Sequence, residues 1–106
     1  MTYEPSIALL HATANEWARR IRDAEPGALA RWLLVTFQHA DGSYETMHAR
    51  DASFLRFAAE RGVPSDELRA FRRTFLDGRT DDALVYAMLT SRGELGARTF
   101  PIGALN

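Results

Sequence analysis

A chain of 106 residues with 46% hydrophobic residues, 25% charged residues and a formal charge of −1 has the composition of one globular domain over residues 1–106. That composition excludes disorder, collagen-like repeats and a coiled coil, and the near-zero charge provides no whole-molecule attraction to nucleic acid or anionic membrane. Without cysteine there are no disulfides, thiol nucleophiles or Cys-ligated metals; with all 13 basic residues arginine, Schiff-base and phosphate-loop lysines are excluded too, and the arginine-only usage points to a GC-rich bacterial genome.

The N-terminus, "MTYEPSIALLHATANEW", has an Ala-Thr-Ala triplet after an apolar run, as a signal-peptidase site would. Its flanks argue otherwise: Glu4 is acidic, no arginine precedes Ile7, and the run is short. No stretch approaches the roughly 18 apolar residues of a membrane span. The expectation is a cytoplasmic protein.

Ile7, Leu10, Ala14, Trp17, Ala18 and Ile21 recur at helical spacing, with Glu16, Arg19, Arg20 and Asp23 opposite, which predicts an amphipathic first helix ended by Pro26-Gly27. "RWLLVTFQH", the Asp41-Gly42 turn and the alternating "SYETMHA" predict a hairpin. Asp51 is placed to cap a second helix through "ASFLRFAAER" with Gly62 at its C-terminal end, and Ser65 to cap a third through "DELRAFRRTFLD", closed by Gly78. Leu68, Phe71 and Phe75 form the buried stripe of that third helix. After "RTDD", "ALVYAMLTS" reads as a strand, "RGELG" as a turn and "ARTFPI" as a last strand, which Pro101 confines to a sheet edge.

The order is α-β-β-α-α-β-β. The central helical pair is the one connection with room for a long parallel crossover, so the simplest architecture is an α+β fold with an antiparallel four-stranded sheet, two hairpins and three amphipathic helices.

Two of the three histidines, His39 and His48, flank the first hairpin turn. With Asp41-Gly42 as a two-residue turn, His39 pairs with Tyr44, Phe37 with Thr46 and Val35 with His48. The histidines then share a face about 13 Å apart, too far to ligate one metal ion. A three-residue loop, Ala40-Asp41-Gly42, slips the register by one and puts them on opposite faces. The first register is preferred because it sets Tyr44 beside Val35 and Phe37.

Neither register makes a metal pair. Asp77, Asp81 and Asp82 gather in "DGRTDD", but Arg79 stands where a calcium loop needs a carboxylate, so capping and solubility account for them. No metal and no cofactor is expected. His39, with Asp41 near it, is the best general base the residues offer, which keeps a small enzyme as an alternative; His11 reads as a boundary residue of the first helix.

Seven arginines lie between Arg50 and Arg79 against five carboxylates. Arg69, Arg72, Arg73 and Arg79 on and beyond the third helix make a nucleic-acid-associated protein a second alternative. The i,i+3 and i,i+4 pairs Asp66/Arg69 and Arg73/Asp77 favour an ordinary solvated face instead.

"ALVYAMLTS" is apolar on both sides, and the helices must cover two sheet faces. In the first hairpin, the face opposite Val35 and Phe37 mixes Leu34, Thr36 and Met47 with Gln38, Ser43 and Glu45, apolar anchors with a polar rim; either the first helix covers this face within the chain or a partner does, and the few elements of a 106-residue chain favour the partner. The reading this supports is a small non-catalytic interaction or regulatory module. It binds another protein chain through Leu34, Thr36, Gln38, Glu45 and Met47, and pairs with itself as a homodimer.

Overall fold

The computed structural model describes residues 7–102, with side chains from Ala14 onward. The elements follow the expected order: helix α1 (Ile7–Ala24), a 3-10 turn (Leu29–Arg31), strands β1 (Trp32–Gln38) and β2 (Tyr44–Arg50), helices α2 (Asp51–Glu60) and α3 (Ser65–Phe71), a π-helical segment (Arg72–Leu76), and strands β3 (Ala83–Thr90) and β4 (Leu95–Pro101). The side chains of Ile7, Leu10 and His11 lie outside those described.

The fold is α+β, and its sheet has the order β2-β1-β3-β4. The two hairpins are antiparallel, but β1 and β3 pair in parallel, which corrects the purely antiparallel expectation. The cause is the number of connecting helices. β2 ends where β1 begins; α2 runs along the sheet, α3 returns, and β3 therefore starts at the end where β1 started. The centre goes to β1 and β3 because both are buried on both faces, whereas β2 and β4 alternate with exposed residues and tolerate an edge.

Each sheet face carries its own core. Leu33, Val35, Phe37, Val85, Ala87 and Leu89 pack against Phe54, Ala58, Val63, Phe71 and Leu76 of the α2–α3 layer, with Met47, Ala49, Leu95 and Ala97 at its margins. On the other face Leu34, Leu84 and Tyr86 meet Ala14, Trp17, Ala18 and Ile21 of α1 and Leu29 of the turn, so the part of the first helix's apolar stripe from Ala14 to Ile21 is docked as its spacing requires. Between these, Tyr86 Oη donates to Thr36 Oγ1 at 2.7 Å, satisfying two buried hydroxyls inside an apolar layer.

The first hairpin takes the slipped register: Gln38 faces Tyr44, Val35 faces Met47 and Leu34 faces His48. Met47 and Ala49 decide against the other register. The slip brings both onto the α2 face beside Val35 and Leu33, a larger apolar gain than one tyrosine. The loop is a three-residue turn with Gly42 at φ +89, where His39 N–H bonds Ser43 O at 2.8 Å and Gly42 N–H bonds His39 O at 2.9 Å.

The second hairpin repeats this geometry one residue for one: Thr90 N–H bonds Glu94 O and Gly93 N–H bonds Thr90 O, both at 3.0 Å. Its turn is Ser91-Arg92-Gly93, so β4 starts at Leu95 and Gly96 lies inside the strand, not in the turn to which "RGELG" was assigned.

Two helix starts also differ by a residue. Asp51 and Ser65 are first residues of their helices, and the caps are Arg50 and Pro64. The third helix does not continue as one α-helix either. Asp77 N–H reaches back to Arg72 O at 2.8 Å, a five-residue step. The wider turn lets Leu76 as well as Phe71 bury against the sheet, with Phe75 between them, a combination that 3.6-residue turns would splay.

Candidate functional site

β4 is an edge strand, paired with β3 on one side from Leu95↔Leu89 to Pro101↔Ala83. In an antiparallel ladder the residues alternate between bonding the neighbour and pointing away. Thr90 and Glu94 are a bonded pair, so Gly96, Arg98 and Phe100 turn their backbone groups toward β3. Leu95, Ala97 and Thr99 turn theirs outward. The side chains of these outward residues point to the α2–α3 face.

On that face a groove of about 210 Å³ separates the strand from the third helix. Its floor and strand wall are Leu95, Gly96 and Ala97; its helix wall is Phe71, Thr74 and Phe75, with Glu67 at the rim. The π-helical turn gives the wall its shape by bringing Thr74 and Phe75 forward, and Phe71 stacks obliquely on Phe75 with ring centroids 5.3 Å apart. Backbone groups with no strand partner among the described residues, next to an apolar groove, are the two elements that strand addition by another chain uses.

The residues first singled out for partner binding do not make one surface. Leu34 is 3% exposed and Thr36 1%, both buried on the α1 face. Gln38 shares that face, while the register turns Glu45 and Met47 to the other, where Met47 packs on the core. The docking of α1 removes the interaction face that the two-sided apolar pattern suggested.

His39 and His48 are separated by the sheet. His48 stacks on Trp17 with ring centroids 4.1 Å apart and planes 12° from parallel, so it serves to seat α1, and burial holds its imidazole below the ordinary value of 6.5. His39 lies edge-on to Phe37, and its Nε2 is 3.0 Å from Glu45 Oε2. The orienting carboxylate is thus Glu45 and not Asp41. Asp41 accepts bonds from Ser43 N–H at 2.9 Å and Ser43 Oγ–H at 2.6 Å, which lower its carboxyl from its ordinary value and close the turn. His39 borders a polar cleft of about 320 Å³ between the two hairpin tips, with Arg92 and Glu94 across it. The side chains of His39 and Glu45 are 44% and 56% exposed, and water competes for both.

The arginines divide in the same way. Arg69, Arg72 and Arg73 are exposed, and Arg72 Nε pairs with Asp77 at 3.4 Å in the place expected for Arg73. Arg79 is withdrawn from any nucleic-acid surface: its side chain is 7% exposed, Nη1 donates to Trp32 O and Nη2 to Asp51 Oδ1, each at 2.8 Å. Asp51, displaced from capping by this pair, has its carboxyl raised by burial, with the Arg79 charge opposing. Asp81 accepts the backbone N–H groups of Gly27 and Ala30, the capping role assigned to its loop.

Among the described residues no group of three or more His, Asp or Glu side chains could hold a metal ion, and no helix is long and apolar enough to cross a membrane. Reading "RGELG" as a turn hides Gly96 and the groove beside it; the repeat of the Ala-Asp-Gly turn as Ser-Arg-Gly is the signal in the sequence that places Gly96 in β4. No protein-family model, no curated protein and no solved structure matches the chain, so its residues alone carry the functional reading.

Proposed function

We infer that this protein is a non-catalytic interaction module that binds another protein chain by accepting an extended segment as a fifth strand beside β4. The observation that carries the reading is the pairing of an open strand edge, Leu95 to Thr99, with the groove walled by Phe71 and Phe75. The outward N–H and C=O groups of Leu95, Ala97 and Thr99 supply directional bonds, and the groove accepts the alternate side chains of the incoming strand. The other edge, β2, is less suited: its outward residues include His48, engaged with Trp17, and Arg50, which lies 5.1 Å over the Trp32 ring.

The test is panning a displayed library of random octapeptides on the full chain, followed by anisotropy titration of the selected peptides. Ala97→Pro removes an outward N–H and no bond of the β3–β4 ladder, so the variant keeps its circular dichroism and loses affinity by about tenfold or more. Undiminished affinity in a folded Ala97→Pro variant contradicts the reading.

A further inference from the structure

The two hairpin tips part because β1 and β3, parallel at the centre, turn to opposite sides: β1 returns as β2 and β3 as β4. Gln38 and Thr90, the last residues of these two strands, are in register, and Ser91 N–H bonds Gln38 O at 2.9 Å where the tips diverge. The gap is the polar cleft of about 320 Å³. In open α/β sheets a crevice of this origin, outside the carboxyl ends of parallel strands whose connections diverge, is where ligands bind. Its volume falls at the lower end of small-molecule pockets, which span about 300–1,000 Å³.

Each tip is held by its own bonds. In the first, Asp41 Oδ1 accepts both the N–H and the hydroxyl of Ser43, and Glu45 holds His39 Nε2. In the second, Thr90 Oγ1 accepts the N–H groups of Arg92 and Glu94 at 3.3 and 3.2 Å and donates to Glu94 Oε1 at 3.3 Å. That tip is also pressed on the end of α2, since a Cβ on Gly93 would stand 2.8 Å from Arg61 O.

The groups these bonds leave over carry both signs. The Arg92 guanidinium makes no hydrogen bond and no ion pair with any described residue, not even with Glu94 two positions on, although both line the cleft. Asp41 Oδ2 and Glu94 Oε2 accept no bond from a described residue, and the side chains of Gln38 and Ser91 make none. A simple anion in this cleft would meet Asp41 and Glu94 as well as Arg92, and a simple cation would meet Arg92. A molecule with both charges removes both conflicts at once, and Gln38 and Ser91 supply neutral bonds to either end.

We propose that the cleft is a binding site for a small zwitterion, a free α-amino acid, with its carboxylate on the Arg92 guanidinium and its ammonium on the open oxygens of Asp41 and Glu94. The planar fork of arginine matches a carboxylate. The lining offers little apolar surface beyond Ala40, so the rest of the ligand is small or polar. The site uses no outward group of Leu95, Ala97 or Thr99 and stands or falls separately from strand addition.

The test is titration of the isotope-labelled full chain with each common L-amino acid, read by amide NMR, with propionate and ethylamine as alanine lacking one charge each. The expected result is that at least one amino acid saturates shifts confined to the two tips below about 1 mM, while propionate and ethylamine do not saturate them up to about 10 mM. Arg92→Gln and Glu94→Gln are each expected to weaken that binding about tenfold or more and to leave the rest of the spectrum unchanged. No amino acid saturating the tip amides overturns the proposal. So does saturation by propionate as tight as by the amino acid, which makes the cleft a plain anion site, and so does binding that either substitution leaves unchanged.

Discussion

Arg79 brings a guanidinium almost wholly out of water with its two terminal nitrogens paired and its buried Nε without a hydrogen-bond partner among the described residues. Trp32 O and the Asp51 carboxylate hold its two terminal nitrogens, so one side chain fastens the loop after the third helix to the start of β1 and the start of α2. Arg79→Ala is expected to destabilise the fold by about 2–4 kcal/mol, measured by urea denaturation near neutral pH, because it strands a partly buried carboxylate. Asp51→Asn in the same background is expected to recover part of that loss. His48 makes a pH-dependent contribution of opposite origin. Burial depresses its folded-state pKa, so below 6.5 the unfolded chain binds more protons, and the stability of the neutral stack on Trp17 is present above 6.5 and lost as pH falls through the folded-state value. Melting temperature is expected to fall more between about pH 7.5 and about pH 5 in the wild type than in His48→Phe. Neither Arg79 nor His48 was assignable in the sequence, because Arg79 looks like any loop arginine and the partner of His48 lies on α1, some thirty positions away. Leu34→Asp, aimed at a residue first read as a contact surface, is expected to abolish folding, as seen by circular dichroism.

The elements were legible where the pattern of a single segment decides them. α1, β1 and β3 follow directly from helical spacing and from β-branched and aromatic runs, and Pro101 correctly sent the last strand to an edge. What failed were the features set by contacts between elements: the hairpin register, decided by Met47 and Ala49 reaching the α2 layer, and the π-helical turn, decided by Leu76 joining Phe71 on the sheet. The second turn illustrates both. Gly93 has φ +82, and a Cβ there would stand 2.8 Å from Arg61 O, so the hairpin tip is pressed against the end of α2. Gly93→Ala is expected to cost about 1–3 kcal/mol, whereas Gly96→Val three residues away is expected to leave stability unchanged or raise it, a contrast that thermal denaturation reads directly. The opposite ordering would mean that Gly96 has a structural role within the chain.

At the scale of the whole molecule, an even number of helices between two hairpins produces the parallel centre, and that centre puts both strands buried on each face between two helical layers. With α1 on one face and α2–α3 on the other, the sheet is covered at Leu34 and Thr36, and the edges of β2 and β4 are where strand backbone has no neighbouring strand among the described residues. The arginines of the third helix give a weaker alternative. With Arg79 withdrawn and Arg72 paired, few phosphates can be neutralised, and anisotropy titration near 150 mM salt is expected to give nonspecific nucleic-acid affinity weaker than about 1 μM. The central claim is that β4 accepts a strand, and amide hydrogen exchange resolved along β4 tests it most directly. In the free protein Gly96, Arg98 and Phe100 are expected to be protected by β3 while Leu95, Ala97 and Thr99 exchange freely; with a selected octapeptide bound, the amides of these last three become protected as well. A bound peptide that leaves the Leu95, Ala97 and Thr99 amides exchanging at their free rates would contradict the account.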